Sequence, residues 1–179
     1  MPKPDMWPSD GPKHRLDLID VLVMSATREG GDNTIRVGFP GTRHIEADGV
    51  AAVSAAVRGL VQIAGLTGCS VEVSTGGCVG TDHRAMMEAH WAGFTVHTIL
   101  PANRKLVPDD WQDFSTTWEE GGEYRARNKA LVRRVSGLFV VADYPEQHPK
   151  SRRSGTWMTW RLGREAMKPM ALMIQHDED

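Results

Sequence analysis

The feature of this sequence that most limits its fold is an alternation of short β-branched runs with helical segments. The runs with strand composition are Thr34–Phe39, Ser70–Ser74, Phe94–Leu100, Gly137–Ala142 and Met170–Ile174. Two helical stripes between them consist of Val50, Val53, Val57, Leu60 and Ala64, and of Tyr124, Leu131 and Val135. Strands that alternate with helices are joined by right-handed crossovers, which produce a parallel sheet. The pattern predicts a Rossmann-like, doubly wound α/β fold with a mostly parallel five-stranded sheet and helices on both faces.

We expect three regions along the chain. Residues 1–33 form an amino-terminal extension that begins with a proline-rich stretch and is partly flexible. Within it, the apolar run Leu16–Thr27 fits neither the helical nor the strand period, so both types stay open. Residues 34–175 form one domain around a single core, and residues 176–179 form an acidic tail.

Charge and cysteine content restrict the partners and the compartment. The formal net charge of −2 and the pI of 6.4 provide no overall attraction to a polyanion, so a nucleic-acid partner is not expected. Only two cysteines occur, and no secretion signal opens the chain, which favours a cytoplasmic protein. No apolar run approaches the roughly 20 residues that span a bilayer, so we expect no membrane span.

A glycine-rich turn follows the second predicted strand, in the stretch STGGCVGTD. Ligands of open α/β sheets bind beyond the carboxyl ends of the strands, where the next helix directs its N–H groups. Gly76, Gly77 and Gly80 permit positive φ and close approach of a ligand to the backbone. Thr81 is placed to cap the helix that begins at Asp82. A tight turn with close helix packing is the alternative interpretation of the same residues.

Two further turns are predicted to meet the first at the same edge of the sheet. The first strand ends in Gly41, Thr42 and Arg43, and the fourth is followed by a long loop that ends in Arg153, Ser154, Gly155 and Thr156. Asn128 lies on an otherwise apolar helical stripe, with Arg127 beside it. A polar side chain there either anchors local backbone or faces a ligand.

These motifs, in this order, resemble the SLOG superfamily, which joins the SMF/DprA DNA-processing proteins with the Lonely Guy phosphoribohydrolases. The matching stretches are VGFPGTRHI, STGGCVGTDHRAMMEAHWAGFTVHTILP, YRARNKALVRRVSGLFVVA and SGTWMTWRLGREAMKPMALMI. The chain is most similar to the small stand-alone branch with a long loop, here Ala102 to Gly122. The resemblance implies a nucleotide-like ligand at the three turns and the Arg-Asn helix.

One departure from the family pattern bears on catalysis. Lonely Guy enzymes and nucleoside deoxyribosyltransferases use a glutamate in the closing helix, and the matching position here is Thr159. Glu165 lies two turns further, roughly 9 Å along the helix. We therefore leave the catalytic residues unassigned.

Three hypotheses follow. The first is a binding protein for a nucleotide or nucleotide-derived small molecule that requires no cofactor, acts as a sensor, carrier or sequestering module, and forms a homodimer or a higher homo-oligomer. The second is an N-glycosidic hydrolase that uses Asp82 or Glu88. The third is single-stranded DNA binding, suggested by KSRRSG and RNKALVRR. A zinc site is not expected, because the spacing of Cys69, Cys78, His83 and His90 matches no zinc motif.

Overall fold

Six strands form one sheet in the computed structural model, which describes residues 32–176. The strands are β1 (Thr34–Gly38), β2 (Ser70–Thr75), β3 (Thr95–Pro101), β4 (Thr117–Gly122), β5 (Gly137–Ala142) and β6 (Met170–Ile174). The order is β4-β3-β2-β1-β5-β6, and all neighbours pair in parallel. The helices are α1 (Ala47–Thr67), α2 (Thr81–Trp91), α3 (Trp111–Phe114), α4 (Tyr124–Arg134) and α5 (Gly155–Glu165). The predicted α/β fold is confirmed; residues 1–31 and 177–179, with the run Leu16–Thr27, lie outside the described part.

The strand count differs from the prediction of five, because β4 lies inside the stretch Ala102–Gly122 that was predicted as a loop. This strand, TWEEGG, occupies the edge of the sheet beside β3, and its first four residues are exposed. An edge strand of this kind buries too little surface to show an alternating apolar pattern. Its sequence therefore gave no strand signal.

Helices cover both faces of the sheet. On one face, Val53, Val57, Leu60 and Ile63 of α1 join Met86 of α2 in one buried cluster. On the other face, Leu131 and Val132 of α4 form a second cluster with partly buried residues of α5. Successive β5 residues alternate between the clusters, as the period of two requires. Burial of Val53, Val57, Leu60, Leu131 and Val135 confirms the predicted stripes.

Helix α1 corrects the expectation that no apolar run reaches the length of a bilayer span. It has 21 residues, and an 18-residue window has a mean hydropathy of 1.6, which is enough by length and composition alone. Its buried face packs on the sheet as the core helix of a folded domain does.

A polar cluster ties the end of α4 to the middle of the sheet. Arg134, the last residue of α4, donates to Glu72 of β2 from Nε at 2.8 Å and from Nη2 at 3.0 Å. On the neighbouring strand, Nδ1 of the buried His97 lies 2.7 Å from Oγ1 of Thr117. Burial, together with the positive charge of Arg134, lowers the pKa of His97 from its ordinary value of 6.5.

The strand order reverses between β1 and β5, and this reversal positions the candidate site. Chain segments that follow β1 and β5 leave the sheet side by side, because the N–H of Thr42 donates to the carbonyl of Val141 at 2.9 Å. Gly41 forms a parallel bridge with Val141. A crevice at such a switch point is where open α/β sheets bind ligands.

Candidate functional site

A cavity of about 320 Å³ opens at the carboxyl ends of β1 and β5. Its lining comes from the loop after β1, the turn after β2, the start of α2, the start of α4, the loop after β5 and the start of α5. The lining residues are Pro40, Gly41, Thr42, Arg43, His44, Cys78, Asp82, Tyr124, Arg127, Asn128, Asp143, Lys150, Arg153, Ser154, Gly155, Thr156 and Thr159. The volume is within the lower part of the range for small-molecule sites.

Most of the predicted site residues line this cavity. Those in the lining are Gly41, Thr42, Arg43, Asp82, Arg127, Asn128, Arg153, Ser154, Gly155 and Thr156, and those outside it are Gly76, Gly77, Gly80 and Thr81. The structure thus brings together the first turn, the last turn and the Arg-Asn helix. Their role in binding a ligand stays a prediction.

The glycines of the central turn make room for the protein itself. A Cβ at Gly76 would overlap the guanidinium of Arg127, and a Cβ at Gly80, whose φ is +88°, would overlap the backbone of Thr42 and Arg43. At Gly77, whose φ is +67°, a Cβ would lie 2.8 Å from the side chain of Thr98. The turn is therefore built for close packing, which was the alternative interpretation of these glycines.

The predicted capping role of Thr81 is wrong. Helix α2 begins at Thr81 itself, Gly80 is the N-cap residue, and no side chain caps this end. The Thr81 side chain is fully buried, and a Cβ at Gly41 would overlap it. Its N–H donates to the carbonyl of Thr42 at 2.9 Å. The start of α2 is thus occupied by the loop that follows β1.

Asp82 and Arg127 form a buried ion pair in the wall of the cavity. Nη1 of Arg127 lies 3.5 Å from Oδ2 of Asp82, and both side chains are less than a tenth exposed. The N–H of Cys78 donates to the same carboxylate oxygen at 3.2 Å. Burial raises the pKa of Asp82, while Arg127 and the backbone N–H groups of Cys78, Gly76 and Gly41 oppose that shift.

The first residue of α4, Tyr124, lies between two guanidinium groups. The Cζ atoms of Arg43 and Arg127 lie 5.6 Å and 5.5 Å from the centre of its ring. Both distances are in the range of cation–π attraction. Tyr124 was predicted as part of an apolar stripe, but it helps to hold both arginines at the cavity.

The start of α5 faces the cavity and is held by three side chains. Ser154 is the N-cap residue, and its hydroxyl accepts from the N–H of Trp157. The carbonyl of Gly155 accepts from Nδ2 of Asn128 at 3.3 Å and from the hydroxyl of Thr159 at 3.0 Å. Asn128 therefore anchors local backbone while it also lines the cavity. The first N–H groups of a helix have no intrahelical acceptors, so this end suits an anion.

The loop that follows β5 forms one side of the cavity mouth. Tyr144 stacks on His148 with ring centres 4.3 Å apart, and Nζ of Lys150 donates to the Tyr144 hydroxyl at 3.0 Å. Asp143, also in the cavity lining, accepts from Nε2 of Gln175 at 3.1 Å. Sequence reasoning missed Asp143, although it directly follows β5 and the carboxyl-end rule applied to the other turns covers it equally.

Several candidate groups lie outside the cavity lining or are unsuited to nucleophilic chemistry. Glu88 forms an ion pair with Arg84 and accepts a hydrogen bond from the hydroxyl of Ser54 on α1. Of the two proposed catalytic carboxylates, only Asp82 lines the cavity. His83 lies 3.0 Å from Asp110. Burial raises the pKa of the Cys78 thiol to about 11.

The two cysteines, Cys69 and Cys78, lie at opposite ends of β2. Cys69 bonds to the side chain of Asn33 at the amino end of β2, while Cys78 lies in the turn at the carboxyl end. Within residues 32–176, no three His, Cys, Asp or Glu side chains are grouped as metal ligands.

The long loop between β3 and β4 packs on α2. Trp111 and Trp118 meet edge to face at 5.7 Å, and Phe114 contacts His83, His90 and Trp91. None of these aromatic rings lines the cavity. These aromatic side chains therefore form a satellite core beside α2.

Comparison with solved structures shows where this fold occurs. DNA processing protein A from Streptococcus pneumoniae is similar with a TM-score of 0.58 and 19% identity over 76% of this chain and 49% of that chain. The Helicobacter pylori DNA processing protein A, described for its single-stranded DNA binding mode, has a TM-score of 0.58 and 16% identity over 91% of this chain and 71% of that one. The structural genomics target TM1055 has a TM-score of 0.57 and 17% identity over 75% of this chain and 71% of that chain.

These likenesses define a class of fold. The chain has the Rossmann-like fold of these three proteins, and the predicted fold is confirmed at that level. It spans about half the length of the Streptococcus pneumoniae protein. No protein-family model and no curated protein sequence matches the chain significantly.

Proposed function

We propose that this protein binds a nucleotide or nucleotide-derived small molecule in the cavity, as a sensor, carrier or sequestering module. The observation that carries the proposal is a pair of arginines, Arg43 and Arg153, which both line the cavity. Among residues 32–176 neither forms an ion pair with a carboxylate. Guanidinium groups bind phosphate in a bidentate manner, and the start of α5 adds N–H donors beside them.

The remaining lining suits the neutral part of such a ligand. Asn128, Thr156 and Thr159 place amide and hydroxyl groups at the wall, and the carboxylates of Asp82 and Asp143 are acceptors for hydroxyl groups. A cavity lined by guanidinium groups together with amide, hydroxyl and carboxylate groups suits an anionic, hydroxyl-rich molecule.

The first experiment is mass spectrometry of the denatured protein as purified, together with its absorbance spectrum. We expect a released nucleotide-like mass. Calorimetry with mononucleotides, dinucleotides, cyclic nucleotides and ADP-ribose derivatives then measures affinity, and Arg43→Ala and Arg153→Ala should each weaken binding about 10-fold or more. Arg164→Ala, an exposed arginine further along α5, is the matched control. A protein that carries no nucleotide and binds none of the panel contradicts the proposal.

Hydrolysis of an N-glycosidic bond is the enzymatic alternative. Of the two carboxylates suggested for it, Asp82 lines the cavity, but Arg127 and the backbone hold it in the wall. Lonely Guy enzymes and nucleoside deoxyribosyltransferases carry a glutamate at the matching helix position. This chain has Thr159 there, and its hydroxyl donates a hydrogen bond to the carbonyl of Gly155. Chromatography of nucleoside monophosphates after long incubation decides between the two, because only hydrolysis releases free base.

Single-stranded DNA is a second candidate ligand, favoured by a local concentration of positive charge. Of the 21 Lys and Arg residues, 11 fall within residues 123–168, a stretch with only 4 Asp and Glu. Arg125, Lys129 and Arg133 are exposed at successive turns of α4, and Arg152 and Arg153 are exposed before α5. The net charge of the whole chain hides this asymmetry. A basic stripe of this kind is the electrostatic footprint of phosphate binding.

Fluorescence anisotropy with a labelled oligothymidylate tests the second candidate. The double variant Lys129→Glu and Arg133→Glu should weaken binding and reduce its salt dependence, since each phosphate contact adds to the salt slope. Lys105→Glu, which changes an exposed lysine outside this stripe, is the matched control. Binding that is absent, or that is equally affected by the control, removes this candidate.

A further inference from the structure

Helix α1 presents an apolar outer face that nothing among residues 32–176 covers. Only 28% of its most apolar window is buried. Leu66 is 87% exposed and Val61 is 45% exposed. Ala55 and Gly59, on the same side as Leu66, are half-buried, and a Cβ at Gly59 would meet no atom within 4 Å. An apolar surface of this kind on a folded domain indicates a contact with another segment.

The chain enters the described domain beside this face. The side chain of Asn33 donates to the carbonyl of Gly68, the residue that ends α1, at 3.1 Å. The described part of the chain therefore begins beside the carboxyl end of α1, at the amino edge of the sheet. The candidate cavity lies at the opposite, carboxyl edge.

The sequence before Asp32 contains a segment that matches the face in polarity. Residues 16–24 read LDLIDVLVM, in which only Asp17 and Asp20 are polar. The outer side of the last three turns of α1 carries one charge, that of the exposed Arg58. This side also carries the exposed amide of Gln62, and the two carboxylates of the segment are complementary in charge to the guanidinium of Arg58.

The length of the tether allows the contact. Residues 25–31 separate the segment from Asp32, and seven extended residues span at most about 24 Å. Helix α1 is about 32 Å long at 1.5 Å per residue, so its carboxyl-terminal half lies within reach. The start of the helix, on the cavity side, is at the limit of that distance.

We propose that residues 16–24 pack on the outer face of α1 between Arg58 and Leu66. This contact completes the apolar surface of α1 within the same chain and accounts for its hydropathy without a bilayer. It also keeps the amino-terminal segment at the edge of the sheet opposite the cavity, so the segment does not act as a lid on the ligand site.

Thiol labelling of the full-length protein tests the contact. Leu66→Cys places a thiol under the proposed segment, and Met167→Cys, at a position that is 90% exposed near the end of α5, is the control. The two native cysteines are buried and serve as an internal reference. We expect maleimide to label Leu66→Cys about 10-fold more slowly than Met167→Cys, because the segment must first detach.

A second variant assigns the protection to the segment. Leu18→Glu, Ile19→Glu and Leu22→Glu, added to the Leu66→Cys protein, should raise the labelling rate to that of the control. Equal rates for Leu66→Cys and Met167→Cys in the unmodified background overturn the proposal. The proposal is also overturned if the Leu66→Cys thiol stays slow to label after the three glutamate substitutions. If labelling becomes faster when the protein is diluted, a second copy of the chain covers this face instead.

Discussion

The guanidinium of Arg127 occupies the space above Gly76 and lies 3.5 Å from the carboxylate of Asp82. One glycine thus makes room for a cation that α4 contributes, and the turn that contains the glycine leads into the helix that contributes the anion. The central glycine motif is therefore an internal packing device whose product, the ion pair, forms part of the cavity wall.

Replacing Gly76 by alanine should destabilise the protein. The added Cβ overlaps Arg127 and comes within 2.8 Å of Oδ2 of Asp82, and overpacking of this type costs about 1–3 kcal/mol. Urea denaturation measures the change in the free energy of unfolding. The comparison variant is Gly59→Ala, in the interior of α1, where the added Cβ meets no atom of residues 32–176 within 4 Å, and it should destabilise the protein less than Gly76→Ala. A Gly76→Ala protein as stable as the parent would contradict the packing role.

Removing one partner of the Asp82–Arg127 ion pair should lower the free energy of unfolding more than removing both partners. Arg127→Met leaves a buried carboxylate without its cation, a loss of about 3–5 kcal/mol for pairs of this kind. Adding Asp82→Asn removes the uncompensated charge and should restore part of that stability. A double-mutant cycle from urea unfolding gives the coupling energy. Strictly additive effects of the two substitutions would show that the pair contributes no coupling.

The Cys78 thiol should be unreactive in the folded protein even though it lines the cavity. With a pKa of about 11, only about 0.1% of the thiol is ionised at pH 8, and the thiolate is the species that alkylates. Iodoacetamide at pH 8 followed by peptide mass spectrometry should find Cys78 unmodified in buffer and modified in guanidinium chloride. Rapid alkylation of native protein at this residue would rule out the buried, neutral thiol.

The protein should lose stability on acidification through His97. Its folded pKa lies below the ordinary value of 6.5, so the unfolded chain binds the proton more readily. The free energy of unfolding therefore falls as the pH drops below about 6.5 and continues to fall until the lowered pKa of the folded state is reached. His97→Gln should flatten this part of the profile, measured by denaturation at a series of pH values. A stability profile that His97→Gln leaves unchanged would contradict this role of the histidine.

The sequence predicted the helices and the central strands because both are periodic and buried. Val53, Val57 and Leu60 repeat at helical spacing, and the β-branched run of β5 is buried at every position. The edge strand β4 was missed for the opposite reason. Its charged residues Glu119 and Glu120 face solvent, so its pairing with β3 depends on backbone hydrogen bonds that no side-chain pattern reports.

The site was predictable where strand ends determine it and unpredictable where packing does. Arg43 and Ser154 follow from the rule that turns after parallel strands meet at one edge, and Asn128 follows from its place on an otherwise apolar helical stripe. The central turn obeys the same rule, but Gly76 and Gly80 are taken up by contacts with other parts of the chain. Such contacts depend on residues about 40 to 50 positions away, which spacing within the motif does not reveal.

The hydrogen bond from Thr42 to Val141 joins segments about a hundred residues apart, and it exists only once β5 has paired with β1. During synthesis, a chain that has emerged as far as α4 already carries Arg43, Asp82 and Arg127 but lacks the wall formed by Arg153 and the start of α5. A ligand bound in this cavity would therefore require the finished sheet. Its binding energy would stabilise only chains in which the last quarter of the sequence has assembled.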